Sequence, residues 1–290
     1  MFTGALVALI TPFQDGDVDF ETLDELIDFQ LENSIDGIVP VGTTGECPTL
    51  SFDEHKKVIE RVVKAVGGHV PVIAGAGSNS TAEAIELTTY AKKVGADATL
   101  QVTPYYNKPT QEGFYQHFKA IAEEVDLPIV LYDIPSRCGA GLTVDTVVRL
   151  SGLENIVAIK DATGQLDHVS EIAARCDLTI LSGDDSLTLP IASVGGKGVI
   201  SVVANIVPAD VKAMVDLILE GNLVQARQWH KKLFALSRNL LSLATNPIPI
   251  KAAMAILNMC SEEMRLPMVP MDQAKKACLE QAIKDYGLLT

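Results

Sequence analysis

The sequence predicts a (β/α)8 barrel followed by a C-terminal three-helix appendage. Three observations carry the prediction. Short β-rich apolar runs alternate with longer amphipathic runs eight times. Most of the short runs are apolar throughout, as strands covered on both faces by helices must be. The 290 residues suit one barrel of about 250 residues plus an extension. An open doubly wound sheet is the structural alternative. It usually has fewer strands and needs a glycine-rich first turn that is absent here.

The strand candidates, in order, are residues 5–10, 37–41, 70–74, 98–102, 128–132, 156–160, 179–181 and 198–202. Helical periodicity fills the gaps between them. Residues 20–32 place apolar side chains at helical spacing. Ser51-Phe-Asp-Glu54 and Ser80-Thr-Ala-Glu83 each match a capping box and each open a helical run. Further helices are expected at 110–125, 144–150, 169–175, 187–194 and 208–220. After Gly221 the alternation stops. Three helical segments follow, at 222–242, 250–258 and 272–286, with Asn246-Pro-Ile-Pro249 breaking the first from the second. The expected division is therefore a barrel over 1–221 and a helical unit over 222–290.

Composition narrows the function. Hydrophobic residues make up 48% and charged residues 21%, which excludes disorder. The formal net charge of -14 disfavours nucleic acid and anionic membrane surfaces as partners. An anionic substrate would need local positive groups, so any basic residue in a cleft is informative. No Lys or Arg precedes Lys56, so no basic targeting segment is expected, and no apolar run approaches the ~20 residues of a membrane span. Cys47, Cys138, Cys176, Cys260 and Cys278 are scattered, with no CxxC pair, as suits reduced thiols in the cytoplasm.

The active site of such a barrel lies at the C-terminal ends of its strands. The sixth candidate strand ends in Lys160. An amine closing an apolar strand is desolvated, its pKa falls, and it becomes a nucleophile near neutral pH; the plainer reading is a lysine that snorkels out. Lys197 and Lys251 are weaker rivals. The fifth strand leads through Tyr132 to Arg137, a candidate proton shuttle and a candidate carboxylate clamp, or else a packed Tyr and a surface Arg. Gly42-Thr-Thr-Gly-Glu46 either brings backbone N–H groups to an anion or is an ordinary turn. Tyr105 and Tyr106 suggest a site rim, a subunit contact or core packing. Gly75-Ala-Gly77 is half of a dinucleotide fingerprint and lacks the rest. His55, His69, His117, His168 and His230 show no ligand spacing, and no metal or organic cofactor is expected.

Gly42-Thr-Thr-Gly-Glu46, Tyr132-Asp-Ile-Pro-Ser-Arg137 and Ile159-Lys-Asp-Ala-Thr-Gly164 together resemble the dihydrodipicolinate synthase / N-acetylneuraminate lyase superfamily. The resemblance extends through Val102-Thr-Pro-Tyr-Tyr-Asn107, Gln111-Glu-Gly113, Ser182-Gly-Asp-Asp185, Gly198-Val-Ile-Ser201 and Asn246-Pro-Ile-Pro-Ile-Lys251, nearly the whole chain. It implies that Lys160 forms a Schiff base with pyruvate, and that the derived enamine attacks L-aspartate semialdehyde on the diaminopimelate route to lysine. It implies that Tyr132 is the acid/base and that Thr43 and Tyr106 relay protons, the tyrosine crossing from a neighbouring subunit. Thr44 with Thr43 would hold the pyruvate carboxylate, Gly183 and the Ile200 carbonyl would line the site, and Arg137 would anchor the aldehyde's carboxylate. Arg137 favours that small anionic aldehyde over a neutral sugar. A homotetramer built as a dimer of dimers follows from the same resemblance. So does an interface site for L-lysine at His55, Asn79, Glu83 and Tyr105. The departures are Asp133 and Cys138 beside Arg137, and Cys47, Pro48 and Phe52 beside the lysine site. Asp133 is expected to point away from the site or to pair with a cation. The alternatives are a related pyruvate lyase acting on another aldehyde and a non-catalytic ligand-sensing barrel.

Overall fold

The computed structural model describes residues 2–289. Eight parallel strands form its sheet: β1 (Gly4–Ala8), β2 (Gly37–Val39), β3 (Ile73–Gly75), β4 (Ala98–Val102), β5 (Ile129–Asp133), β6 (Ile156–Asp161), β7 (Thr179–Ser182) and β8 (Gly198–Ser201). Their hydrogen-bonded order is β2-β1-β8-β7-β6-β5-β4-β3. The two ends meet. Ile38 N–H donates to Pro71 O and Gly75 N–H to Pro40 O, both at 3.0 Å, and Ile38 bridges Val72. The sheet is a closed barrel, as the alternation predicts.

Two prolines set the strand bounds that differ from expectation. β2 stops at Val39 because Pro40 has no N–H for the ladder. β3 starts only after Pro71, later than the expected residue 70, for the same reason.

The outer layer contains α1 (Phe20–Glu32), α2 (Phe52–Val66), α3 (Thr81–Val94), α4 (Gln111–Glu124), α5 (Val144–Leu150), α6 (Leu166–Arg175), α7 (Thr188–Ser193) and α8 (Pro208–Leu219). Helix α1 buries Leu23, Leu26, Ile27 and Gln30, one stripe at helical spacing. The two capping boxes part company. Ser51 and Glu54 form theirs at α2, while Ser80 gives α3 no side-chain cap. Glu83 instead accepts the Ser78 hydroxyl at 2.7 Å. A short hairpin, Phe13–Gln14 against Asp17–Val18, was not expected. Its signal was present. Asp15 and Gly16 both have positive φ, 54° and 87°, as an Asp-Gly turn in a hairpin requires.

Three helices complete the chain: α9 (Leu223–Ser242), α10 (Ile248–Ile256) and α11 (Gln273–Tyr286). Helix α10 opens two residues before its expected start because Pro249 sits in the first turn, where a missing N–H costs nothing. Leu233, Leu236 and Leu240 of α9 and Ile250 of α10 pack in one apolar cluster with Val7, Val203 and Met214 of the barrel.

Strand periodicity positions the chemistry. The barrel interior is filled by Leu6, Ala8, Val39, Ile73, Ala98, Leu100, Val130, Tyr132, Ala158, Leu181 and Ile200, at least one from each strand. Side chains two apart share a face. Val130 points inward, so Tyr132 does; Ala158 points inward, so Lys160 does. The two lie side by side in register on β5 and β6.

Candidate active site

Lys160 and Tyr132 sit at the C-terminal mouth of the barrel, on the floor of a cavity of about 380 Å³. Thr43, Thr44, Arg137, Gly183, Asp184 and Asn246 contribute to its walls. Lys160 is 6% exposed, and its Nζ lies 4.2 Å from the centre of the Tyr132 ring. Burial brings its pKa down to about 8, with Arg137 pushing the same way and Asp185 opposing. Burial also pushes the Tyr132 phenol up to about 12; Arg137 and a hydrogen bond from Thr43 act against it. The pair therefore holds an amine that is partly neutral near pH 7 beside a phenol that keeps its proton.

The turn from Val41 to Glu46 is tightly built. Val41 has φ 47° and Glu46 φ 53°, a rare region for such residues. Gly75 permits the kink, since a Cβ there would fall 2.2 Å from Val41 O. This, together with close packing of Gly77 against β4, accounts for the half fingerprint in the sequence. The Thr11 hydroxyl donates to Gly45 O at 2.7 Å. Glu46 is locked by Lys251, whose Nζ lies 2.5 Å from Glu46 Oε1 and 2.9 Å from Glu263 O. Lys251 is thus a buried structural cation and not a rival nucleophile. Lys197 is exposed at the start of β8, the opposite end of the barrel.

Arg137 lies on a single helical turn, Pro135–Cys138, just beyond β5. Its Nη2 donates to Asn246 O at 2.8 Å, and Asn246 Nδ2 donates to the Thr44 hydroxyl at 3.0 Å. One asparagine of the C-terminal segment therefore links the Val41–Glu46 turn to the guanidinium. A Cβ at Gly183 would come 3.1 Å from Lys160 Cε, so this glycine keeps space beside the amine. Asp185, buried behind the site, accepts from the Ser201 hydroxyl and from the N–H of Val202 at 2.9 Å; burial still pushes it up to about 6. Sequence reasoning passed over Asn246 and Asp185 as site residues. Asp185, a second carboxylate after strand seven, was the available signal.

The expected set is mostly, not wholly, assembled. Ile200 packs inside the barrel, and Val202 stands in the wall. Tyr106 is 90% exposed with φ 70°, outside the cavity. Asp133 points outward from β5, away from the cavity. His55, Glu83 and Tyr105 line a second cavity of about 330 Å³ with Cys47, Pro48 and Phe52. Asn79 is not in its wall, and its Nδ2 donates to Tyr105 O at 3.1 Å. Thr43, Ile134 and Arg137 border both cavities. Among the described residues, no group of three or more His, Cys, Asp or Glu could hold a metal ion. No helix among them is long and apolar enough to cross a membrane.

A family model described as the dihydrodipicolinate synthetase family matches residues 1–286. The chain is 53% identical over 291 residues to the 4-hydroxy-tetrahydrodipicolinate synthase of Pelobacter propionicus, covering all of both chains. Its structure resembles the dihydrodipicolinate synthase of Aquifex aeolicus, with TM-score 0.98, 50% identity and 99% of each chain covered. The enzyme of Acinetobacter baumannii, solved with pyruvate, matches at TM-score 0.97 and 42% identity over the full length of both. That of Cyanidioschyzon merolae, solved with lysine bound, matches at 0.96 and 40% over 99% of both. The chain belongs to the dihydrodipicolinate synthase family, lyases of aldolase type, and has 4-hydroxy-tetrahydrodipicolinate synthase activity.

Proposed function

We propose that Lys160 is the Schiff-base nucleophile and that its substrates are pyruvate and L-aspartate semialdehyde. The observation that carries this reading is a buried amine with its pKa near 8, beside a protonated phenol, at the floor of an open cavity. The neutral amine adds to the pyruvate ketone, and loss of water gives an iminium that acts as an electron sink. Loss of a methyl proton gives the enamine. Its carbon attacks the aldehyde, and the adduct cyclises and is released. Tyr132 delivers and removes protons at these steps. Thr43 sits beside it, and the turn at Thr43–Thr44 faces the cavity to receive the keto acid's carboxylate. Arg137 offers a fork for the second carboxylate. The relative solved with pyruvate supports the first substrate.

Tyr106 completes the relay by entering the site of a neighbouring copy. Its 90% exposure in a single chain fits a residue that a partner covers, in a homotetramer built from dimers. The second cavity receives L-lysine through Glu83, Tyr105 and His55, a reading supported by the lysine-bound relative. Initial rates unchanged by millimolar lysine would remove it. The activity runs in the cytoplasm and needs no metal or organic cofactor.

Borohydride reduction in the presence of pyruvate, then peptide mass mapping, tests the central step. The mass of a reduced pyruvate adduct is expected on Lys160; a label elsewhere, or none, defeats the mechanism. Arg137→Ala is expected to keep the label and lose most turnover. Full activity in that variant would point to a different aldehyde.

A further inference from the structure

We propose that Asp133 and His168 clamp the neck of the loop that carries Arg137, making a pH-sensitive positioning device for the second substrate. The inference rests on the role given to Arg137 above. Strands β5 and β6 end alike. Tyr132 and Lys160 point into the barrel, and the residues after them, Asp133 and Asp161, point out into the helix layer, 1% and 0% exposed. From Asp133 the chain makes the Arg137 turn and returns at Leu142. There Asp133 Oδ2 accepts the Leu142 N–H at 3.2 Å, and His168 Nε2 meets the Leu142 carbonyl at 3.1 Å. His168 Nδ1 in turn meets Asp161 Oδ2 at 2.9 Å. Both backbone groups of one residue are therefore held by side chains tied to the two strands that bear the reacting groups. The fit is tight, because a Cβ on Gly141 would come 3.0 Å from Asp133 Oδ1.

The clamp has a definite protonation state. Both ring nitrogens of His168 face acceptors, a carboxylate and a carbonyl, and only the doubly protonated ring donates to both. Asp161 holds the His168 pKa above its usual value through the hydrogen bond, and the charges of Asp161 and Asp133 add to it. Burial and the Asp161 charge push Asp133 up to about 7. The titratable groups facing Asp133 are Asp161, His168 and Cys138; those facing His168 are Asp161 and Asp133. As pH rises, Asp133 ionises and His168 loses its proton. One bond loses its donor, two carboxylates remain buried without a cation, and the neck loosens. Arg137 loses its placement while Lys160 and Tyr132, on the barrel's inner face, keep theirs.

The test measures KM for L-aspartate semialdehyde from pH 6 to 9 in the full-length enzyme, with borohydride trapping of pyruvate as a separate readout. The parent's aldehyde KM is expected to rise at the alkaline end. His168→Ala should raise it about tenfold at low pH, the effect of one charge-assisted hydrogen bond, and flatten its pH dependence. In Asp133→Asn, which is isosteric and carries the test if His168→Ala fails to fold, the rise should begin at lower pH, because His168 has lost a neighbouring negative charge. Trapping on Lys160 should match the parent in both. Parent-like KM profiles in the variants overturn the proposal. So does a loss of trapping that parallels the loss of aldehyde affinity, which marks general damage. Failure to trap pyruvate on the parent's Lys160 would instead defeat the catalytic reading.

Discussion

Lys160 and Lys251 are both buried lysines whose pKa values burial lowers, yet they do opposite things. Lys251, fully buried at the start of α10, is met by Glu46, by the Glu263 carbonyl and by the Phe13 ring 4.1 Å away. Every direction is filled, so the cation is kept and becomes architecture. It fastens the C-terminal helices to the turn that ends at Glu46. Lys160 has a ring face beside it, the Asp185 charge nearby without an ion pair, and an open cavity ahead. No ion pair neutralises it among the described residues, and burial brings its pKa down to about 8, so part of the amine is neutral near pH 7. Burial alone does not set the proposed nucleophile apart; burial without an ion pair, and with a way in, does.

Substituting each lysine by Met separates the two roles. Lys160→Met should lower turnover by at least about 10³-fold, abolish the pyruvate adduct and melt no lower than the parent, since it removes a desolvated amine. Lys251→Met should do the reverse. It leaves Glu46 charged and buried, at a cost of about 3–5 kcal/mol, while the folded fraction keeps most of its turnover. Pairing it with Glu46→Gln should recover much of that loss. Denaturant titration alongside a saturating rate assay reads both quantities. A Lys251 variant that keeps its stability but loses the adduct would collapse the contrast.

The same contrast sets a pH dependence. In the proposed mechanism the neutral amine of Lys160 is the reacting form, so adduct formation at low pyruvate should climb as pH rises through about 8 and level above it. Stability follows the same residue. Its folded pKa lies below the ordinary 10.5, so between about pH 8 and 10.5 the unfolded chain holds a proton that the folded chain does not. Unfolding should therefore become harder across that window in the parent than in Lys160→Met. Parallel stability curves for the two proteins would mean that the amine is not desolvated.

Much of this was legible in the sequence because it is periodic. Alternation of apolar runs gave the barrel, and the strand ends gave Lys160 and Tyr132 as candidates at its mouth. What was hidden depends on contacts across long separations. Asn246 reaches Thr44 from 202 residues away, and His168 finds Leu142 across a helix and a strand. Nothing local in either segment announces the partner. Tyr106 was named only through the family resemblance, because its proposed role belongs to a second copy of the chain. The Asp15-Gly16 hairpin was readable and was passed over because its strands are two residues each.

The capping boxes give the smallest and cleanest difference, since one sequence pattern meets two environments. Ser51 accepts the Glu54 N–H while Glu54 Oε2 accepts the Ser51 N–H at 2.8 Å, and Arg265 holds Glu54 in place. At Ser80 the matching glutamate is already engaged by the Ser78 hydroxyl, and no cap forms. Ser51→Ala should therefore cost about 1 kcal/mol, the usual worth of a lost cap, whereas Ser80→Ala should stay within about 0.5 kcal/mol. Neither side chain lines the cavity that holds Lys160, so activity serves as the internal control. Equal losses in urea midpoint would show that Ser80 caps α3 in solution, and would return Glu83 to the helix end instead of the second cavity.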